Sequence, residues 1–180
     1  MKSFVYDVSV QSADSPLEVM IVYDTILASL MAKIVCERIS RLISRPINIF
    51  FCGHSLLHYQ DHNELAKRKA LDSDIILMAN SGKNSFPNTV VLWLKTALHP
   101  SFSKGKVIVG LFGLGEGDNL ENNDCRRYLE SQSNLNGLKF FALSFDPSPD
   151  ERGVSVTKAM PESSTNQFVD SIVRGYAFAR

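Results

Sequence analysis

The stretch Asp74–Leu98, DIILMANSGKNSFPNTVVLWLKTAL, and the nearby Lys104–Phe112, KGKVIVGLF, decide the fold. Asp74 to Ala79 is an aliphatic run without polar alternation, which predicts a strand buried on both faces. Asn80-Ser81-Gly82 supplies turn-forming residues to end it. Pro87 suits the first position of a helix, where a backbone N–H would have no partner in any case. Val90, Val91, Leu94, Ala97 and Leu98 then recur at helical spacing until His99-Pro100. Gly105-Lys106 leads into a further apolar run, Val107 to Phe112. Buried strand, helix and buried strand make one βαβ unit with its strands parallel.

The same alternation continues in both directions. Upstream, Val19 to Tyr23 is a compact apolar run that predicts another strand. Leu27, Leu30, Met31, Ile34, Val35, Ile39 and Leu42 follow at helical spacing, with Thr25, Ser29, Lys33, Glu37, Arg41 and Arg45 on the opposite side. Glu37 and Arg41 stand as an i,i+4 pair, and Pro46 is the expected stop. Ile47 to Cys52 is a strand ended by Gly53, and Asn63 to Leu71 a short charged helix. Downstream, Asp118 or Asn119 is placed to cap a helix with Cys125, Tyr128 and Leu129 inward. Asn136-Gly137 ends that helix, and Lys139 to Phe145 is a fifth strand.

The two ends carry additions. Phe4, Tyr6, Val8 and Val10 alternate with Val5, Asp7 and Ser9, the period of a strand with one wetter face. Residues 1–16 are therefore expected to be an added edge strand and loop, and 146–163 a Pro- and Ser-rich connection. Ser164-x-x-Gln167 is a capping-box pattern opening a C-terminal helix over 164–180, with Phe168, Val169, Ile172, Val173 and Tyr176 on one face. The whole predicts one α/β domain: a three-layer αβα sandwich around a mostly parallel sheet of about five strands in the order 2-1-3-4-5.

Composition excludes several functions. With 19 Lys+Arg against 19 Asp+Glu in 180 residues, the chain lacks the positive charge on which phosphate-neutralising nucleic-acid binding depends. It equally lacks the charge to dock on anionic lipid. Met20 to Cys36 is the most apolar long stretch, and it carries Asp24 and Lys33, each costing about 2.5–3.5 kcal/mol near a bilayer centre. Asp7 interrupts what a signal peptide would need as an apolar core. Cys36, Cys52 and Cys125 are odd in number and widely spaced, so the expectation is free thiols in the cytoplasm.

In an open parallel sheet, ligands bind beyond the carboxyl ends of the strands, where the winding direction switches. The loops at Asp24–Ser29, Gly53–Asp61, Asn80–Pro87 and Gly113–Asn119 are thereby the candidate site for a small molecule. Gly113-Leu-Gly115-Glu-Gly117-Asp118 is the richest glycine cluster, but the dinucleotide fingerprint belongs to the first βα turn, and a solvent turn is the simpler reading. His54, His58 and His62 stand four apart and would line one face of a continuous helix as metal ligands; Gly53 and the polar run that follows predict a broken turn instead, and no metal site. Cys52 beside His54 is not placed to form a reactive pair, since neighbours at a strand end point in alternate directions.

At these residues the chain resembles the flavodoxins over about two-thirds of its length. The features are the strand DIILMA, the small-residue turn, the Pro-started helix, and Gly-Lys before VIVGLF. IVYDT, DIILMA and VVLWL are also similar to a set of bacterial α/β proteins with no assigned activity. The resemblance implies that Asn80, Ser81 and Gly82, with Gly113, Gly115, Gly117 and Asp118, would flank a flavin. It also implies that the FMN phosphate would sit in a Ser/Thr/Gly/Asn-rich loop after the first strand.

Here that loop is Asp24-Thr25-Ile26-Leu27-Ala28-Ser29, with no glycine, two bulky aliphatics and an acid. Only Thr25 and Ser29 could donate to a phosphate. The end of the third strand likewise lacks the acid that a receiver-type phosphoacceptor needs. The expectation is a cytoplasmic flavodoxin-like domain with no cofactor, a non-catalytic ligand- or protein-binding module with a homodimer as one form. The alternatives are a divergent flavin- or nucleotide-dependent oxidoreductase holding FMN, and a metal-dependent hydrolase.

Overall fold

The computed structural model describes residues 15–82, 85–99, 106–114 and 119–146. Five strands, β1 (Leu17–Tyr23), β2 (Ile47–Gly53), β3 (Ile75–Asn80), β4 (Val107–Gly113) and β5 (Lys139–Phe145), form one sheet in the order β2-β1-β3-β4-β5. All four pairings are parallel. Helices α1 (Ile26–Ile43), α2 (Gln60–Asp72), α3 (Asn88–Ala97) and α4 (Asp124–Leu135) connect them. The three-layer sandwich and its strand order are those the alternating pattern predicts. The expected N-terminal strand, the 146–163 connection beyond Asp146 and the C-terminal helix lie outside the described residues.

The pleat sends alternate residues of each strand to opposite layers. On one face Val19, Ile21, Ile75, Leu77, Val109 and Leu111 pack with Ala28, Met31, Ala32, Val35 and Ile39 of α1. On the other, Met20, Val22, Ile76, Met78, Ile108 and Phe112 pack with residues of α2, α3 and α4, among them Trp93 and Leu94. Every residue of β3 is buried, as befits the central strand of a sheet covered on both sides. Gly110 makes room in the second layer: a Cβ there would lie 2.4 Å from the Phe112 ring.

Polar side chains fix several ends. Lys106, 8% exposed, donates from Nζ to the carbonyls of Ala70 (2.6 Å), Leu71 and Ser73 (2.8 Å), and so holds the C-terminus of α2. Asp74 accepts from the Glu18 N–H at 3.0 Å, which joins β3 to β1 at the amino end of the sheet.

Some boundaries differ from the pattern. Helix α1 ends at Ile43 because Ser44 turns left-handed (φ 52°). Arg45 leaves the helix and donates from Nε and Nη2 to the Ser15 carbonyl at 3.1 and 2.7 Å. The ion pair on the outer face of α1 is Lys33–Glu37 at 3.8 Å, and Glu37–Arg41 does not form among the described residues. Helix α2 starts three residues earlier than its apolar positions suggest. Asn119 caps only a 3-10 turn (Leu120–Asn122), while Asn123 accepts from the Arg126 N–H at 3.0 Å and caps α4.

Candidate functional site

The register aligns Tyr23 with Gly53 on one side and Ala79 on the other, so the ends of β1, β2 and β3 finish level. The winding reverses between β1 and β3, and the residues bordering that crevice are Asp24 and Ser81. They are bonded to each other. Both carboxylate oxygens of Asp24 accept from the Ser81 N–H at 3.0 Å, and the Ser81 hydroxyl donates to Oδ2 at 2.9 Å. The Asp24 N–H donates to the Ala79 carbonyl at 3.2 Å. Charge-assisted bonds of this type are the stronger class of protein hydrogen bond.

The connection from β1 to α1 is only Asp24-Thr25. Thr25 is extended (φ −135°, ψ 159°), and its Oγ1 accepts from the Ala28 N–H at 3.2 Å, the N-cap arrangement. Ser29 donates from Oγ to the Ile26 carbonyl at 2.7 Å. Of the two hydroxyls expected to reach a ligand, Ser29 thus donates to the helix's own backbone, and Thr25 receives a helix N–H. Ile26 is 76% exposed at the helix start, and Leu27 packs partly buried against the α1 side of the core. The Tyr23 and Phe51 rings meet edge-on at 6.3 Å near the same end of the sheet.

Across the crevice the turns after β3 and β4 touch. Gly82 takes φ +90°, and a Cβ on it would lie 3.1 Å from the Gly113 carbonyl oxygen. A Cβ on Gly113 would lie 3.1 Å from both Ser81 Cα and the Phe145 ring. Ser81, Gly82 and Gly113 are thus brought together. Asn80 is not with them: it is 1% exposed, and its Nδ2 donates to Cys125 Sγ at 3.4 Å within the second layer. Gly115, Gly117 and Asp118 lie outside the described residues.

The three histidines part company. His54 is buried in a 3-10 turn (His54–His58) and stacks edge-on against Phe86 at 6.0 Å, while His58 and His62 are exposed. Extended Tyr59 (ψ 128°) separates that turn from α2, so no common helical face exists. Among the described residues no group of three or more His, Cys, Asp or Glu is placed to hold a metal. Burial raises the Cys52 thiol to about 11, and its Sγ faces the Gly53 carbonyl at 3.7 Å. Burial, then the charges of Asp124 and Asp24, raises Cys125 to about 12. Neither is a thiolate nucleophile near neutral pH.

No family model and no curated protein matches this chain. Solved structures do. A short-chain flavodoxin associated with a PDU bacterial microcompartment superposes with a TM-score of 0.56 at 14% identity, covering 89% of this chain and 99% of that one. The chain has the flavodoxin fold. An oxidoreductase from Corynebacterium diphtheriae (TM-score 0.55, 12% identity, 90% and 94% covered) is similar to it as well. So is the Trp repressor binding protein from Bacillus subtilis (0.51, 12%, 87% and 96%).

Against the flavodoxin pattern, the differing part is the corner after β1. A phosphate cradle needs a loop whose backbone N–H groups converge on the anion. Two residues, one of them an acid committed to Ser81, do not provide that loop. The Asp24–Ser81 pair was not visible in the sequence, because its members are 57 residues apart and only the strand register joins them. Among the described residues no helix is long and apolar enough to cross a membrane.

Proposed function

We propose that this domain is a non-catalytic binding module on a flavodoxin scaffold, one that does not hold FMN by its phosphate. The observation that carries the reading is the Asp24 carboxylate closed onto Ser81 at the switch point. A phosphate monoester carries about −1.5 to −2 charges near neutral pH. At about 4 Å and an effective dielectric of about 20, each unit pair with Asp24 is repelled by about 4 kcal/mol before solvent screening. The N-terminus of α1 returns only about 0.3–1 kcal/mol for an anion at an exposed helix end. Repulsion wins. The exposed Ile26 and the Tyr23–Phe51 ring pair suit an apolar contact at that edge better than an anionic one. Three free, buried thiols suit a reducing cytoplasm.

A second reading is a divergent flavin- or nucleotide-dependent oxidoreductase. It is favoured by the meeting of Ser81-Gly82 with Gly113, where the flavodoxin resemblance puts the turns that flank the ring. The absorbance spectrum of freshly purified protein separates the two. A colourless sample that takes up no added FMN is expected. Flavin bands at one equivalent per chain, or turnover of a nicotinamide with a quinone, would overturn the binding-module reading in favour of the oxidoreductase.

A further inference from the structure

A second concavity lies away from the Asp24 crevice, on the α1 layer toward the amino end of β2. It is a groove of about 350 Å3 lined by Lys33, Cys36, Glu37, Arg41, Ile47 and Ile49. That volume falls at the small end of ligand pockets, which hold about 300–1,000 Å3. Its apolar and charged parts are separate. Ile47 and Ile49 are partly buried against the core, and Cys36, 1% exposed, is kept neutral by a burial that lifts its thiol to about 12. A neutral thiol behaves as a small apolar group, so these three side chains form an apolar floor.

The polar groups of the groove lie along α1. Lys33 and Glu37 pair at 3.8 Å, and the Ser40 hydroxyl donates to the Arg45 carbonyl at 2.6 Å. Arg41 remains. It is exposed in the last turn of α1, and among the described residues no carboxylate pairs with it. The rim therefore carries one positive charge in surplus, on a guanidinium whose planar fork matches a carboxylate through two parallel hydrogen bonds. A phosphate monoester would bring about −1.5 to −2 charges to this single cation, so the carboxylate is the better match. From Lys33 to Arg41 the helix rises about 12 Å at about 1.5 Å per residue, which leaves length for an apolar tail beside the head group.

We propose that this groove binds a medium-chain aliphatic carboxylate, with its head on Arg41 and its tail along Ile47, Ile49 and Cys36. The Lys33 ammonium is balanced by Glu37, so the tail meets no uncompensated charge. The groove shares no residue with the Asp24–Ser81 crevice, and failure of one site leaves the other standing.

The test is a magnetic resonance titration of the full chain, isotope-labelled at the isoleucine methyls, with sodium octanoate and separately with 1-octanol. The alcohol keeps the tail and lacks the charge. Saturable shifts of the Ile47 and Ile49 methyls are expected with octanoate below about 5 mM, at concentrations about fivefold or more lower than with octanol. Arg41→Gln, a change at an exposed position, should abolish that preference and leave the octanol response as it was. Absence of saturable shifts at both methyls would overturn the proposal, as would equal affinity for the two probes. So would a preference for octanoate that survives in Arg41→Gln.

Discussion

Replacing Asp24 by alanine removes the carboxylate that accepts from Ser81 across the switch-point crevice. Two oxygens facing the Ser81 N–H at 3.0 Å and one bond from the Ser81 hydroxyl at 2.9 Å are lost together. Net contributions of hydrogen bonds to charged groups run about 1.5–3 kcal/mol, and they do not add when they share one carboxylate. Because Asp24 is half-exposed, water recovers part of the loss. The expected cost is about 2 kcal/mol for Asp24→Ala. Ser81→Ala, which keeps the backbone donor, costs about 1 kcal/mol. For a domain of this size the alanine change lowers Tm by about 4–8 °C. Urea unfolding of both single variants and the double variant, followed by circular dichroism, gives the coupling energy, expected at about 1 kcal/mol. Additive effects, or a cost for Asp24→Ala within about 0.5 kcal/mol of zero, would refute the reasoning.

Gly110→Ala forces a methyl into the Phe112 ring, which a Cβ would approach to 2.4 Å, and so destabilises by about 1–3 kcal/mol. Adding Phe112→Leu should recover part of that loss in the same urea assay. Lys106→Met leaves the carbonyls at the end of α2 without their donor and costs about 2–3 kcal/mol. Burial, opposed by Asp74 and Asp72, lowers the Lys106 pKa from its ordinary 10.5, so folding releases its proton first. The native protein should therefore gain stability relative to Lys106→Met as pH rises through the interval just below 10.5; a flat difference would contradict the assignment. Cys36 and Cys125 are raised to about 12 and Cys52 to about 11, each mainly by burial. A chromogenic disulfide at pH 8 should label the three thiols only as the protein unfolds. Rapid native labelling would show that at least one is accessible.

The sheet was legible because β1, β3 and β4 are buried on both faces and their sequences are close to uninterrupted aliphatic runs. Legibility failed where polar residues do the work. Gln60 to Asn63 begin α2 without any apolar spacing, so the pattern starts the helix too late. Ser44 ends α1 in a left-handed conformation with no glycine to signal it. Asn119 and Asn123 are both good caps, and nothing local decides which one opens α4.

At the strand ends, the sequence offers Thr25 and Ser29 as donors, but it does not show that helix α1 starts at Ile26, that Thr25 Oγ1 accepts from its first turn or that Ser29 donates back to the Ile26 carbonyl. Asn80 was grouped with Ser81 and Gly82, yet the alternation of a strand sends it to the opposite side, toward Cys125. The Asp24–Ser81 and Lys106–α2 contacts both span distant parts of the chain, and only the assembled layers bring them together.

The phosphate corner can be interrogated by comparing riboflavin with FMN in fluorescence titrations of the intact protein, since the two differ only in the phosphate. If Asp24 bars that corner, FMN gains nothing from it, and neither flavin saturates the protein up to about 100 µM. Saturable one-to-one binding of FMN, tighter than riboflavin by about tenfold or more, would mean the phosphate is held and would contradict the account.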